Sequence, residues 1–571
     1  MIEESENLPD QADNEVEPMD VSGDAVDKIM MANDNSSHGR TKSVKRKAEM
    51  NTDIPLRSYN LREKSNLKRP KRFDLYEMAN VCVASEPCTY DQAINCEERQ
   101  DWKIAIDEEF DAYCKNATCN IKGYKARLCV KGCKQKFGVN YEATYAPVVR
   151  YDSLRILFAL AAQLDLELVQ FDVKTAFLYG ELDKPIYVKI PHGLEVNGIK
   201  KNKVCRLKRA VYGLKQAARC WNKQFCELLK MFGFVQCELE SSVFICYING
   251  KIVILAIFVD DGMIFAHCIE HANRVISALK EKFEIVMGEA DMFVGIQITR
   301  DRENRSIILH QEAYANRVLE RFNVLDAPCD IPADPNTVLC APTKNIDLNV
   351  PYREAIGSLM FLSVVTRPDL AYIVNFLSRY MCNFDRSHWR AVQRVLKYLK
   401  QTPRVGLCYS ASDKSQFHVK AYSDADFGGD RDQRRSTSGC IIQLVNGPII
   451  WCSKGQTVTA QSTAEAEYIA ANVAAREMSW LRYFLNDLGF PCANSLNLYM
   501  DNTTAISWTK DLIINNKTKH IEIKYHYVRQ KVQSKEINTV YVPTHLQLAD
   551  LLTKNFNKQR FVFLRESIGM K

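Results

Sequence analysis

The sequence predicts an α+β protein of several domains, and three observations carry that prediction. From Asp101 to Ile308, short β-branched runs alternate with helical stretches, the pattern of helices laid on a sheet. From Tyr352 to Lys400 the apolar spacing becomes mostly helical, and from Phe417 strands return before a long helix. At 571 residues, roughly 150 residues per domain gives three or four domains.

The elements follow in order from periodicity. Trp102, Ile106 and Phe110 in WKIAIDEEFDAY stand at helical spacing. SLRILFALAAQL and KQFCELLKMFGF read as helices on either side of the strand LELVQFDV, and KIVILAIFVDDGMIFA reads as two apolar strands around a tight turn. YREAIGSLMFLSVV and VQRVLKYLK form the helical zone. FHVKAYSD and CIIQLVNGPIIW are strands, AEAEYIAANVAAREMSWLRYFLNDLG is a long helix, SLNLYM a strand and QLADLLTKNF a final helix. No repeat of fixed period is visible.

Composition excludes several classes. Hydrophobic residues at 46% and charged residues at 25% rule out collagen-like, mucin-like and wholly disordered chains. The longest apolar run, Ile252 to Val259, falls far short of the roughly 20 residues of a membrane helix, so no membrane partner is expected. MIEESENLPD lacks the apolar segment of a secretory signal. The 20 cysteines are scattered singly, which points to a reducing, intracellular setting. Charge is uneven: Glu3 to Asp27 carries acids and no Lys or Arg, whereas KSVKRK and KRPKR mark the stretch from Arg40 to Arg72. Residues 1–80 are therefore expected to be a disordered leader. Its basic half reads first as a solvated linker, second as a nucleic-acid contact or a nuclear address in an otherwise cytoplasmic protein. Oligomeric state leaves no mark in the pattern.

Chemistry enters at carboxylates placed on strand ends. Asp260 and Asp261 close an apolar hairpin, an expensive place for two acids unless a cation neutralises them. Asp172 ends the strand ELVQFDV. Were these strands neighbours, three carboxylates would converge on hard divalent ions such as Mg²⁺; the bland alternative is an Asp-Gly turn at Asp261-Gly262. Farther on, Asp424 ends a strand, Glu465 and Glu467 open a helix capped by Ser462 or Thr463, Asp501 ends SLNLYM, and Asp550 lies within LADLL. Each also suits a capping or surface acid. Cys114, Cys119, Cys129 and Cys133 form off-pattern pairs, better read as buried small hydrophobes than as a zinc site. His520, His526 and His545 have no general-base spacing and read as surface or packing residues.

These segments, taken together, resemble the reverse transcriptase of copia-type retrotransposons. FVDDGMIFA is similar to that family's Y-V-D-D hairpin, with Phe258 in place of Tyr; QFDVKTAFLYGEL, YKARLCVKG, YEATYAPVVR and LKRAVYGLKQAARCW resemble its other motifs in order, and YREAIGSLMFLSVVTRPDLAYIVNFLSRYM and HWRAVQRVLKYLKQT resemble the region that follows them. The likeness runs from about Asp101 to Phe556. It implies a right-hand polymerase, with fingers and palm over 95–310 and a helical thumb and connection over 311–415. An α/β ribonuclease H-like domain over 416–558, folding on its own, and a tail at 559–571 would complete the chain. It implies that Asp172, Asp260 and Asp261 hold Mg²⁺ or Mn²⁺ for polymerisation, and Asp424, Glu467 (rather than Glu465), Asp501 and Asp550 for hydrolysis. By the same resemblance Arg127 and Lys131 bind the triphosphate, Phe177 forms a wall beneath the sugar that rejects ribonucleotides, and Tyr212, Gly213, Lys215 and Gln216 flank base and template. MFVGIQI (292–298) would grip the primer end. The expected partners are RNA template, DNA primer, RNA–DNA hybrid and dNTPs.

Departures from the family are specific. CKNATCNIKGYKARL joins directly where the family has a W-V-F-K finger hairpin, LKQAARCW lacks its Ser-Pro, and no protease, zinc knuckle or integrase motif is present. The chain corresponds to the C-terminal part of a polyprotein. Two classes of function therefore stand: a polymerase with ribonuclease H activity, and a relic or co-opted nucleic-acid-binding protein that keeps the fold without turnover.

Overall fold

The computed structural model describes residues 128–189, 204–324, 327–342, 348–411, 417–492, 495–511 and 523–571, with a few short stretches before residue 104. Nearly all of the acidic and basic leader and of the helix expected at 102–113, the shortened finger segment, Arg127, Cys114, Cys119 and His520 lie outside them. The chain divides into two compact units, residues 1–142 with 182–215 and residues 143–181 with 216–571.

In the first unit, a strand at Cys129–Val130 leads into a 3₁₀ turn at Gly132–Lys134, and strands Glu181–Lys189 and Val204–Arg209 are neighbours in a sheet. The Val130 N–H donates to the Tyr212 carbonyl at 2.8 Å. Gly132 and Gly213 lie so close across this contact that a Cβ on either would collide with the other segment's backbone. Two distant glycines thus fix one crossing of the chain.

The second unit starts with α1 (Tyr151–Leu164), buried along most of its length from Ser153 to Ala162, as an all-round apolar helix must be. A six-stranded sheet follows: β1 (Glu167–Val173), β2 (Val243–Ile248), β3 (Lys251–Phe258), β4 (Asp261–Ala266) and β5 (Ile285–Gly288), with a short edge strand at Val235–Gln236. Its spatial order is β5-β1-β4-β3-β2-edge, antiparallel throughout. Alternation divides it between two cores. Val169, Phe171, Leu255 and Ile264 face α2 (Ala217–Met231) and α3 (Ile269–Lys280), while Ala256, Met263 and Phe265 join the core that holds α1. The near-continuous apolar runs of β3 and β4 are those of strands covered on both faces.

A four-stranded sheet comes next, from Met292–Phe293, Ile296–Asp301, Ser306–His310 and, after the helices, Leu407–Ser410. The segment expected as one strand at 292–298 is broken by a turn at Val294 and Gly295, both at positive φ. Helices α4 (Tyr352–Val365), α5 (Ala371–Ser378) and α6 (Arg386–Gln401) fill the predicted helical zone. The last sheet has five strands: β6 (Lys420–Asp426), β7 (Thr437–Leu444), β8 (Gly447–Gly455), β9 (Leu496–Met500) and β10 (Ile537–Tyr541). Its order is β8-β7-β6-β9-β10, antiparallel from β8 to β6 and parallel from β6 to β10. Helices α7 (Thr463–Asp487) and α8 (Thr503–Lys510) complete it. LADLL forms a buried 3₁₀ turn, Leu548–Leu552, rather than an amphipathic α-helix. Residues expected as a tail form α9 (Lys558–Ser567), and Leu564, Ile568 and Met570 are buried.

One core runs from Val149 through α1, α4, α6, β7, β8 and α7 to Met570. Residues 416–558, expected to carry a core of their own, share it with α1 and α4. Arg155 makes the junction. Fully buried, it donates through Nε to the Ile449 carbonyl at 2.7 Å, and through Nη1 to Val364 and Val365 carbonyls at 2.8 and 2.9 Å. Its remaining nitrogen pairs with Asp152, and its plane lies 3.9 Å from the centre of the Trp451 ring. Among the described residues, no helix is long and apolar enough to cross a membrane.

Replacing Arg155 with alanine strands those carbonyls in a dry interior. The expected cost is about 3–5 kcal/mol, as for other broken buried charge networks, read as a lower urea midpoint of the whole chain. A loss below about 1 kcal/mol, the scale of an exposed ion pair, would show that the junction does not depend on this side chain.

Candidate active site

The first carboxylate group sits where β1, β3 and β4 meet. The register sets Asp261 opposite Asp172 on the adjacent strand, so pleating puts both on one face, that of α1. Asp260 occupies the two-residue turn between Phe258 and Asp261, and its carbonyl accepts the Val173 N–H at 3.0 Å. All three acids are half-buried. The turn is strained: Val259 takes a φ of 59°, a left-handed conformation that β-branched residues avoid and where hairpins favour Gly or Asn. The Trp221 indole N–H holds that peptide through the Val259 carbonyl at 2.7 Å. Gly262 is required for another reason: the Phe171 ring crosses its Cα where a Cβ would sit. Strain secured on several sides is common at functional turns.

The other residues expected around this chemistry fall into two groups. Phe177 lies on the 3₁₀ turn Ala176–Tyr179 that follows β1, half-buried and packed on the core beneath α2. Gln216 is buried at the start of α2. In the other unit, Lys131 is exposed beside the crossing that brings Val130 to Tyr212 and Gly132 to Gly213. Lys215 is engaged there: its N–H donates to Gln135 Oε1 at 2.8 Å, and Nζ lies 3.2 Å from the Tyr141 hydroxyl. Cys129 is half-buried, and Cys133, expected inside, is exposed.

The second group is tighter. Asp424, Glu467 and Asp501 offer oxygens that all lie within 4.8 Å of one another. Local structure explains the convergence. β6 and β9 run parallel with Tyr422 opposite Tyr499, their rings stacked 5.0 Å apart; two residues on, the same face presents Asp424 and Asp501. α7 lays Glu467 across it. Glu465 serves the helix end instead, its carboxylate accepting the Gln461 N–H at 2.7 Å and its own N–H donating to Ser462 Oγ at 3.2 Å. Burial pushes the Glu467 carboxyl up to about 10, helped by the charges of Asp424 and Asp501, and its Oε2 has no hydrogen-bond partner among the described residues. Such a set asks for a cation.

Asp550 adjoins this group. Burial, then Asp424, pushes its carboxyl up to about 6. Lys554 Nζ lies 2.6 Å from Asp550 and 3.5 Å from Asp424, and Arg560 lies 3.2 Å from Asp550. Burial works against the Lys554 ammonium, but the two carboxylates hold it charged well above the ordinary lysine range. The Thr553 hydroxyl donates to Asp424, and that of Thr544 to Asp501 at 2.9 Å. Burial also pushes the Asp426 carboxyl, at the end of β6, up to about 6. Sequence reasoning missed Trp221, Asp426, Lys554 and Arg560; only Lys554 carried a local signal, four residues after Asp550 on one helical face. His526 accepts a packing role beside the Tyr468 hydroxyl at 2.9 Å, and His545 is exposed.

Comparison with known proteins shows the family. A family described as "Reverse transcriptase (RNA-dependent DNA polymerase)" matches residues 103–335. The retrovirus-related Pol polyprotein from transposon TNT 1-94 of Nicotiana tabacum is 35% identical over 536 residues, 88% of this chain and 40% of that protein. The Pol polyprotein from transposon RE2 of Arabidopsis thaliana is 32% identical over 554 residues, 91% of this chain and 37% of that protein. A "Putative transposon Ty5-1 protein" of Saccharomyces cerevisiae is 31% identical over 314 residues, 54% of this chain and 100% of that protein. The chain therefore spans about two fifths of the two Pol polyproteins. With its motifs in order across that span, the chain belongs to the copia-type retrotransposon Pol polyproteins and includes their reverse transcriptase region.

Proposed function

We propose that this chain is an RNA-directed DNA polymerase with a ribonuclease H centre, acting on an RNA template, a DNA primer, dNTPs and the RNA–DNA hybrid they produce. In this reading residues 95–310 are fingers and palm, 311–415 thumb and connection, and 416–558 a ribonuclease H-like domain. The observation that carries it is the placing of acids at neighbouring strand ends, Asp261 opposite Asp172 and Asp424 beside Asp501. Acids so placed can neutralise cations at a surface that a polyanion must approach.

The donors present fit hard divalent ions: all are carboxylate oxygens, and Glu467 Oε2 is buried without a partner. Asp172, Asp260 and Asp261 would hold Mg²⁺ or Mn²⁺ in one centre, and Asp424, Glu467, Asp501 and Asp550 in the other. Bound there, the ions supply Lewis acidity and activate a hydroxyl or water. The chain's own residues do the rest. Val259, held by Trp221, keeps the Asp260 turn from swinging. Phe177 presents a ring where a ribose 2′-hydroxyl would clash. Arg127 and Lys131 donate to the triphosphate, and Tyr212, Gly213, Lys215 and Gln216 line base and template.

Three experiments test this reading. Asp260→Asn or Asp261→Asn should cut primer extension on an RNA template by more than about 100-fold, beyond the usual cost of removing a residue that only backs a metal ligand, with the melting temperature little changed. Full extension by either variant at saturating Mg²⁺ removes the polymerase assignment.

Phe177→Ala should let ribonucleotides be incorporated while dNTP use falls little. A variant that instead becomes insoluble shows a purely core ring.

Glu467→Gln should abolish hybrid cleavage and the rise in melting temperature that Mn²⁺ gives the wild type, yet raise the midpoint in EDTA near neutral pH because a buried carboxyl no longer has to take up a proton on folding. Glu465→Gln should cleave normally and lose about 1 kcal/mol or less. Equal effects of the two substitutions would overturn the hydrolytic centre. A folded wild type inactive in both assays would favour the non-catalytic relic.

A further inference from the structure

The loop joining β6 to β7, FGGDRDQRRS (residues 427–436), begins three residues after Asp424, and seven of its ten residues are charged or glycine. Its acids are spent on partners within the protein. Buried Asp430 accepts the N–H groups of Asp432 at 3.0 Å and Gln433 at 3.3 Å, while its carbonyl takes the Arg434 N–H at 2.7 Å and its own N–H donates to the Arg435 carbonyl at 3.1 Å. Both Asp432 oxygens are engaged, by the Ala341 N–H and the Tyr380 hydroxyl, each at 3.0 Å. Arg379 is drawn inward, 3.5 Å from Asp430.

Arg431, Arg434 and Arg435 are left exposed. Among the described residues, no ion pair involves any of these three. Lys454, exposed on β8 opposite Ser438, extends the same end of the sheet, and Phe427 is 46% exposed at the loop's start. At about 3.3 Å per strand residue, the loop begins about 10 Å from Asp424. A duplex strand carries a charge about every 3.4 Å along its axis, so these guanidiniums lie a few nucleotides from the acids.

We propose that Arg431, Arg434 and Arg435 form a phosphate clamp that seats an RNA–DNA hybrid over the Asp424, Glu467 and Asp501 centre. The proposal rests on the hydrolytic reading of that centre and adds what holds its substrate. A guanidinium fork matches phosphate geometry, and the bonds of Asp430 within the loop and of Asp432 to Ala341 and Tyr380 hold the loop in place before the ligand arrives. The clamp reads backbone, so it carries no sequence preference. Nucleic acid is favoured over an acidic protein because the arginines stand at the edge of a carboxylate cluster suited to metal-bridged phosphates, and Phe427 is the one large hydrophobic residue exposed within the loop.

The test uses the full chain, a fluorescent 18-base-pair RNA–DNA hybrid, and Ca²⁺ in place of Mg²⁺ so that binding is read without cleavage. The variant Arg431→Gln/Arg434→Gln/Arg435→Gln should melt like the wild type. Its Kd should rise at least about tenfold at moderate salt, and the slope of log K against log salt should shrink by about 2–3, near 0.9 for each phosphate no longer neutralised. Single variants should each remove about one third of that slope, which keeps the test usable if the triple variant misfolds. An unchanged slope and Kd in a folded variant overturns the clamp. So does displacement of the hybrid by poly-glutamate as readily as by unlabelled hybrid, since that marks a general polyanion surface. A wild type that binds with the expected slope but never cuts in Mg²⁺ upholds the clamp and removes only the hydrolytic reading.

Discussion

The buried guanidinium of Arg155 is the constraint around which the larger unit is organised. A charge in a dry interior is tolerated only when its donors are used, and here they reach a strand near residue 449 and a helix end near 364. That demand brings α1, α4 and β8 to one point. Once they are there, Trp451 covers the guanidinium and donates to the Ser363 carbonyl at 2.8 Å. The six-stranded sheet and the last sheet then share apolar surface, and α1, the helix beside the first acids, is fixed from behind by the sheet that carries the second.

The two carboxylate groups solve one electrostatic problem differently. Around Asp172, Asp260 and Asp261 the acids stay half-exposed, and water lowers their mutual repulsion. Around Asp424, Glu467 and Asp501 burial raises it, and the fold answers with nearby cations and a protonation-prone Glu467. The first group spends backbone strain at Val259 to aim its turn; the second uses regular strands and a helix start, where direction is set by pleat and pitch.

Much of this was legible in the sequence because the deciding signals were local. The run into Asp260-Asp261 reads as a covered hairpin because KIVILAIF is short, rich in β-branched residues and followed at once by turn residues and a second apolar run. SLNLYM followed by Asp501 shows its strand and cap directly. Glu467 was separable from Glu465 by resemblance alone, and the geometry gives the reason: Glu465 is needed at the helix end. The unreadable parts depend on contacts distant in sequence. Arg155 looks like a surface residue in an apolar helix until Ile449 arrives. Val259 looks ordinary until Trp221 fixes its carbonyl. LADLL has helical spacing, yet five residues held between β6, β7 and α9 wind more tightly, as 3₁₀. The residues after Lys558 look like a polar end because their buried face is sparse, Phe561, Leu564 and Ile568.

Lys554 reaches both Asp550 and Asp424, and Arg560 backs Asp550. These side chains act as resident counter-ions. Assembly of the last sheet need not wait for an ion, because Asp424 and Asp550 are offset by side chains of the protein itself. A metal acquired there would exchange one positive charge for another, a step separable in time from synthesis and folding of the chain.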